Sequence, residues 1–201
     1  MPLQNRVQPT SDILAVPVRG QFMGNRGILH TDDRQLRHVR WRHQAWVCCL
    51  TDFKNRKRPL MAPRHYTELF FFDEPVALAA GHRPCGECRR AAYKAFLAAA
   101  NHAGPIAIFD QKLHQARAVP RTFGQRRAIR HFDDLPDGTF VQMDTGQPAL
   151  IWQDALFPYQ PSGYLPPLTR PKSGETRVLT PGPSLIALRE GYQVSPRIVE
   201  T

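Results

Sequence analysis

Asp73-Glu74-Pro75-Val76-Ala77-Leu78-Ala79-Ala80-Gly81-His82-Arg83-Pro84-Cys85-Gly86-Glu87-Cys88 is the stretch on which the fold of this chain turns. Asp73 is an N-cap type, and Glu74 and Pro75 suit the first turn that follows it. Gly81 suits the residue just past the last turn, so a short helix is predicted up to about Ala80. Arg83-Pro84 forces an extended bend. Cys85-Gly86-Glu87-Cys88 is a C-x-x-C loop, which brings two thiolates within reach of one metal ion.

Upstream, Trp46-Val47-Cys48-Cys49-Leu50 reads as a buried strand and Tyr66 to Phe72 as a second one, rich in aromatics. Between them, Thr51 to Pro59 is a basic turn holding Lys54, Arg56, Lys57 and Arg58. Downstream, a helix is expected from about Glu87 to Ala100, with Cys88, Ala91, Ala92, Ala95, Phe96 and Ala99 on one buried face. Pro105 to Phe109 reads as a short strand or an extended linker, with Asp110 capping a helix from Gln111 to about Val119. Residues 1–25 read as a polar lead or edge strand, and the segment beyond Tyr192 as a mobile tail.

The fold class expected is α+β, in two parts. Residues 1–131 form a basic domain of hairpin and helices. Residues 132–201 form a small, Pro-rich, barrel-like β region, with strands at Phe140–Met143, Ala149–Trp152 and Val178–Thr180, and a closing helix from Pro183 to Glu190. Charge divides the same way. The 201 residues carry a net +10. Residues 1–131 hold 22 of the 27 basic and 9 of the 17 acidic residues, a net +13, and the remainder is at −3. Arginine outnumbers lysine 22 to 5, and arginine grips phosphate with two parallel N–H bonds. A polyanion, nucleic acid first, is the expected partner. No apolar run reaches the length of a membrane span, and no apolar segment follows Met1, so a cytoplasmic protein is expected. Oligomeric state is left open.

Four cysteines are too few for a disulfide scaffold. Cys48, Cys49, Cys85 and Cys88 are the candidate metal ligands. Neighbouring strand residues point to opposite faces, so only one of Cys48 and Cys49 should reach a metal held by Cys85 and Cys88. The alternative is that both are small core residues. His65, another histidine or a water would complete the site. A redox role for Cys85 and Cys88 is a further reading, since a helix N-terminus lowers a thiol pKa.

The run Ala77 to Cys88 resembles the second half of the metal-binding domain of bacterial Ada, the methylphosphotriester-DNA alkyltransferase. That family carries A-x-A-A-G-[aromatic]-R-P-C-x-x-C after a strand and a short helix. The resemblance covers about residues 45–95. It implies an α+β zinc module that touches the DNA backbone, with Cys85 and Cys88 as its second ligand pair. The family's first ligand pair falls on Lys54 and Arg58 here, so its alkyl-acceptor cysteine is missing and its chemistry does not carry over.

These readings converge on a metal-binding, nucleic-acid-binding protein. A structural zinc would tie Cys85 and Cys88 to Cys48 or Cys49, and Lys54, Arg56, Lys57, Arg58, Arg64, Arg83, Arg89 and Arg90 would meet phosphates. One alternative is a hydrolase-type enzyme acting on nucleic acid or a phosphorylated substrate through His65, Asp110, His114 and Arg117, or through zinc-bound water. Another is a non-catalytic interaction module docking a partner on Trp152, Tyr159 and Tyr164. Arg121, Arg126, Arg127, Arg130 and His131 form a second basic stretch expected to face phosphate. Residues 29–45, with Asp32, Asp33, Arg34, Arg37, His38, Arg40, Arg42 and His43, read as a loop or a basic strand pair leading into Trp46.

Overall fold

A computed structural model describes residues 1–56 and 59–199. Among the described residues it is a mixed α+β protein of two large sheets, a two-stranded ribbon of Ala118–Val119 with Gly124–Gln125, and four α-helices, and no described helix is long and apolar enough to cross a membrane.

At the centre lies α1, Glu74–Ala79, buried along its whole length. A helix that is mostly apolar on all sides needs cover on all sides. Here Val76, Ala77, Ala79 and Ala80 share one core with Leu69 and Phe71 of the first sheet and Phe140, Leu150 and Tyr159 of the second. Asp73 caps it as expected, its Oδ1 accepting from the Val76 amide at 3.1 Å. The helix ends where Gly81 sits at φ +83°. The Gly81 amide donates to Leu78 O and the His82 amide to Ala77 O, both at 2.9 Å, which satisfies two of the last carbonyls.

The first sheet has six strands in the order Ile13–Leu14, Arg6–Val7, Leu69–Phe71, Phe22–Asn25, Val47–Leu50, Arg83–Pro84. Arg6–Val7 runs parallel to Leu69–Phe71, and Arg83–Pro84 runs parallel to Val47–Leu50. Residues 1–25 are therefore built into the sheet, with Asn5 and Val7 buried, and are not a loose lead. The second sheet is antiparallel, in the order Gly163–Tyr164, Ala155–Gln160, Pro148–Trp152, Phe140–Gln142, Glu175–Val178, Ala128–His131, with Leu168–Thr169 also on Ala155–Gln160. Its two end strands lie at opposite edges. A boundary at residue 131 follows directly on Ala128–His131, a strand that belongs to this second sheet.

Helices α2 (Arg90–Ala99), α3 (Ile106–Arg117) and α4 (Gly182–Arg189) join α1 through Leu78, Phe96, Phe109, Leu113, Ala187, Leu188, Tyr192 and Val194. Four expectations are corrected here. Val47–Leu50 and Leu69–Phe71 do not pair as the expected hairpin, since Phe22–Asn25 lies between them and pairs with both. Pro105 to Phe109 is not a strand: Pro105 precedes the first turn of α3, because Ile106, Phe109 and Leu113 recur at helical spacing against this core. Only Phe96 of α2 is fully buried, and Ala91, Ala92, Ala95, Ala98 and Ala99 line an open groove of about 700 Å³ beside Glu190 to Gln193. The tail is anchored, since Val194 is buried and the Arg197 amide donates to Asp73 Oδ2 at 3.0 Å.

Candidate metal centre

The parallel register sets the site. Val47 lies opposite Arg83 and Cys48 opposite Pro84, and the Cys85 amide donates to Cys48 O at 3.0 Å. One residue further along, Cys49 comes abreast of Cys85. Strand alternation turns Cys49 away from the side that Cys48 takes. The Sγ atoms of Cys49, Cys85 and Cys88 lie within 4.8 Å of one another. Sulfurs this close can share one metal ion.

Backbone amides support the sulfurs. The Glu87 amide points at Cys85 Sγ and the Leu50 amide at Cys88 Sγ, both at 3.4 Å. Such donors favour the charged thiolate over the thiol. Cys85 is held down to about 5, chiefly by the hydrogen bond from the Cys49 thiol, and Cys49 is pushed up by donating it. Burial raises Cys88. Three half-buried sulfurs of this kind can hold a metal ion.

Cys48 is not part of the group. It is fully buried, its pKa is raised by burial, and it accepts from Arg89 Nη1 at 3.4 Å. Among the described residues no fourth His, Cys, Asp or Glu joins the three thiols. His65 is exposed, with Nδ1 3.0 Å from Pro63 O.

The basic residues expected to meet phosphates fall into three kinds. Arg83 and Arg89 are structural. Arg83 pairs with Asp110, and Arg89 Nη2 meets Glu74 Oε1 at 2.7 Å, with only 10% of the Arg89 side chain exposed. Neither is open to a phosphate. Arg56 and Lys54 are exposed but lean on Glu87, at 2.7 and 3.8 Å, which folds the basic turn back over the C-x-x-C loop. Arg64 and Arg90 are exposed and pair with no carboxylate among the described residues. Lys57 and Arg58 lie outside the described residues.

The residues named for a hydrolase do not form a catalytic group. Both Asp110 oxygens are taken by Arg83. His114 Nδ1 accepts from Arg117 Nη2 at 3.2 Å, and burial with the nearby Arg117 charge lowers His114 to about 4. His65 stands elsewhere. Nor do Trp152, Tyr159 and Tyr164 make an exposed patch. Tyr159 is buried in the core, Trp152 and Tyr164 are partly buried against it, and the Tyr164 hydroxyl donates to Asp73 Oδ2 at 2.6 Å.

One cluster carries no sequence signal beyond its arginines. Arg26 and Arg117 both lie over the Trp46 ring, with Cζ 4.1 and 3.7 Å from its centroid. Arg26 Nε donates to His82 Nε2 at 3.0 Å, while His82 Nδ1 meets Val47 O at 3.0 Å, so His82 is neutral and singly protonated at Nδ1. Both guanidinium groups are buried, and neither pairs with a carboxylate among the described residues.

Fold and site together define an α+β protein with a three-cysteine cluster at a strand–loop–helix junction. No family model, curated protein or solved structure matches the chain.

Proposed function

We propose that this chain is a zinc-thiolate protein of the Ada-like kind that binds nucleic acid. The observation that carries the reading is the convergence of Cys49, Cys85 and Cys88, with two backbone amides aimed at their sulfurs. Zinc is favoured because thiolates are soft ligands and zinc accepts them in a tetrahedron. The succession of strand, basic turn, strand, short helix and C-x-x-C loop supports the Ada-like reading. Cys49, earlier on the strand, would substitute for the thiols of the family's first ligand pair, which falls on Lys54 and Arg58 here.

Zinc bound here ties the edge of the first sheet to the start of α2 and leaves one coordination position to water or another ligand. The role is structural and positional. With lysine and arginine where the family has its first cysteine pair, methyl transfer to that cysteine is not available. The net charge of +10, with Arg64 and Arg90 exposed and without a carboxylate partner among the described residues, supports a phosphate-bearing partner.

Elemental analysis of the purified full chain tests the metal, and titration with labelled oligonucleotides at rising salt tests the partner. One zinc per chain, lost in Cys85→Ser, is expected, together with binding that weakens steeply with salt. A folded wild type without zinc overturns the metal reading. No affinity for any oligonucleotide at low salt overturns the partner.

A further inference from the structure

Two basic segments far apart in sequence meet on one face. Trp41, in the loop of residues 34–43, packs edge to face on Phe123 with centroids 4.8 Å apart and planes at 75°. His38 packs on the same Phe123 ring at 5.5 Å. Behind them Trp41 touches His114 of α3 at 5.4 Å and Trp46 at 5.6 Å. Trp41 and Phe123 are half-buried and His38 is exposed, so these rings keep surface open to solvent.

Both segments that carry the rings also carry arginines. Arg34, Arg37 and Arg42 on the first segment and Arg121, Arg126 and Arg127 on the second are all exposed. None of the six pairs with a carboxylate among the described residues. No acidic residue occurs between Ala118 and Phe132. Beneath the rings sit Arg26 and Arg117, buried and without an anionic partner among the described residues, and Arg117 Nε makes no hydrogen bond. Burial pulls both guanidinium groups below arginine's ordinary value, as expected of positive charge that lacks a counter-charge.

Open aromatic rings on segments rich in exposed arginines suit bases and phosphates together. Bases in a duplex are stacked on each other and cannot reach such rings, whereas unpaired bases can. We infer that the face of Trp41, Phe123 and His38, with Arg37, Arg42 and Arg121, binds single-stranded nucleic acid, its rings stacking on bases and its guanidiniums meeting phosphates. This rests on the nucleic-acid reading above and moves the contact from the C-x-x-C loop to a different face. Rings at 75° take bases splayed from one another, as in a single strand.

The test is fluorescence anisotropy of the full zinc-loaded chain with labelled oligo-dT and oligo-U of about 15 nucleotides, which separate DNA from RNA, and a duplex of equal length. Single strands are expected to bind more tightly than duplex and to quench tryptophan emission, with the quench reduced in Trp41→Phe. Phe123→Ala should weaken single-strand binding about tenfold, and Phe123→Tyr should restore it. Arg121→Gln, at an exposed position with no partner to lose, should lower the salt slope by about 0.7 while leaving stability unchanged. The inference is overturned if Phe123→Ala and Arg121→Gln both bind like wild type, or if duplex binds more tightly. In either case binding that falls in Arg64→Gln and Arg90→Gln keeps the nucleic-acid reading alive. Absence of binding to every probe removes both.

Discussion

Arg83 and Asp110 form a two-point ion pair in the protein interior. Arg83 Nε meets Asp110 Oδ1 and Nη2 meets Oδ2, both at 2.7 Å, with 6% of each side chain exposed. The pair fastens the strand that leads into the C-x-x-C loop to the middle of α3.

Removing one partner leaves a buried charge alone. Arg83→Ala or Asp110→Ala should each cost about 3–5 kcal/mol in denaturant unfolding. The Arg83→Met, Asp110→Leu double variant should cost less than either single change, since neither charge is then stranded. Singles that cost under about 1 kcal/mol would contradict the assignment.

Gly81 is the second structural pin. Its φ is +83°, and a Cβ there would lie 2.3 Å from Arg117 Cδ. Gly81→Ala should therefore lower stability by about 1–3 kcal/mol, seen as a lower Tm. Because Arg117 lies over Trp46, the tryptophan emission of the folded variant should shift as well.

Asp73 gives the protein a pH signature. Burial raises it to about 6, against the hydrogen bonds from Tyr164 and from the Arg197 and Val76 amides, and the neighbouring Glu74 charge raises it slightly further. A carboxyl whose folded value is raised holds its proton more tightly folded than unfolded. Its contribution is thus present near pH 4 and is lost as pH rises through about 6. The difference in unfolding free energy between wild type and Asp73→Asn should therefore fall from pH 4 to pH 6 and level off above. A flat difference would contradict the burial.

The sequence marked those parts of this structure that rest on local chemistry. Asp73, Pro75 and Gly81 announce α1 because capping and positive φ restrict residue type at single positions. Cys85 and Cys88 announce half of a metal site through spacing alone. The choice between Cys48 and Cys49 was not legible. Alternation says that one faces the metal, but which one depends on the parallel register with Arg83–Pro84, a contact made across more than thirty residues. The same limit explains Arg83 and Arg89, which read as surface charge until Asp110 and Glu74 are found against them. Asp110 looked like a helix cap because a carboxylate suits that position as readily as it suits a buried ion pair. The meeting of Trp41 with Phe123 lies wholly in tertiary structure.

Cys48 also predicts its own inertness. Its thiol is fully buried, and burial raises its pKa. Alkylation of the folded, metal-stripped protein should label Cys85, the thiol held lowest, first and spare Cys48. Labelling of Cys48 at the rate of Cys85 would contradict the placement.

The most direct measurement compares zinc content in two neighbouring variants. Cys48→Ala and Cys49→Ala differ by one position on one strand, and both remove a thiol of the same size. The account predicts about one zinc per chain in Cys48→Ala, as in wild type, and a large loss in Cys49→Ala. Equal zinc in the two variants, or loss in Cys48→Ala alone, would contradict a centre built from Cys49, Cys85 and Cys88.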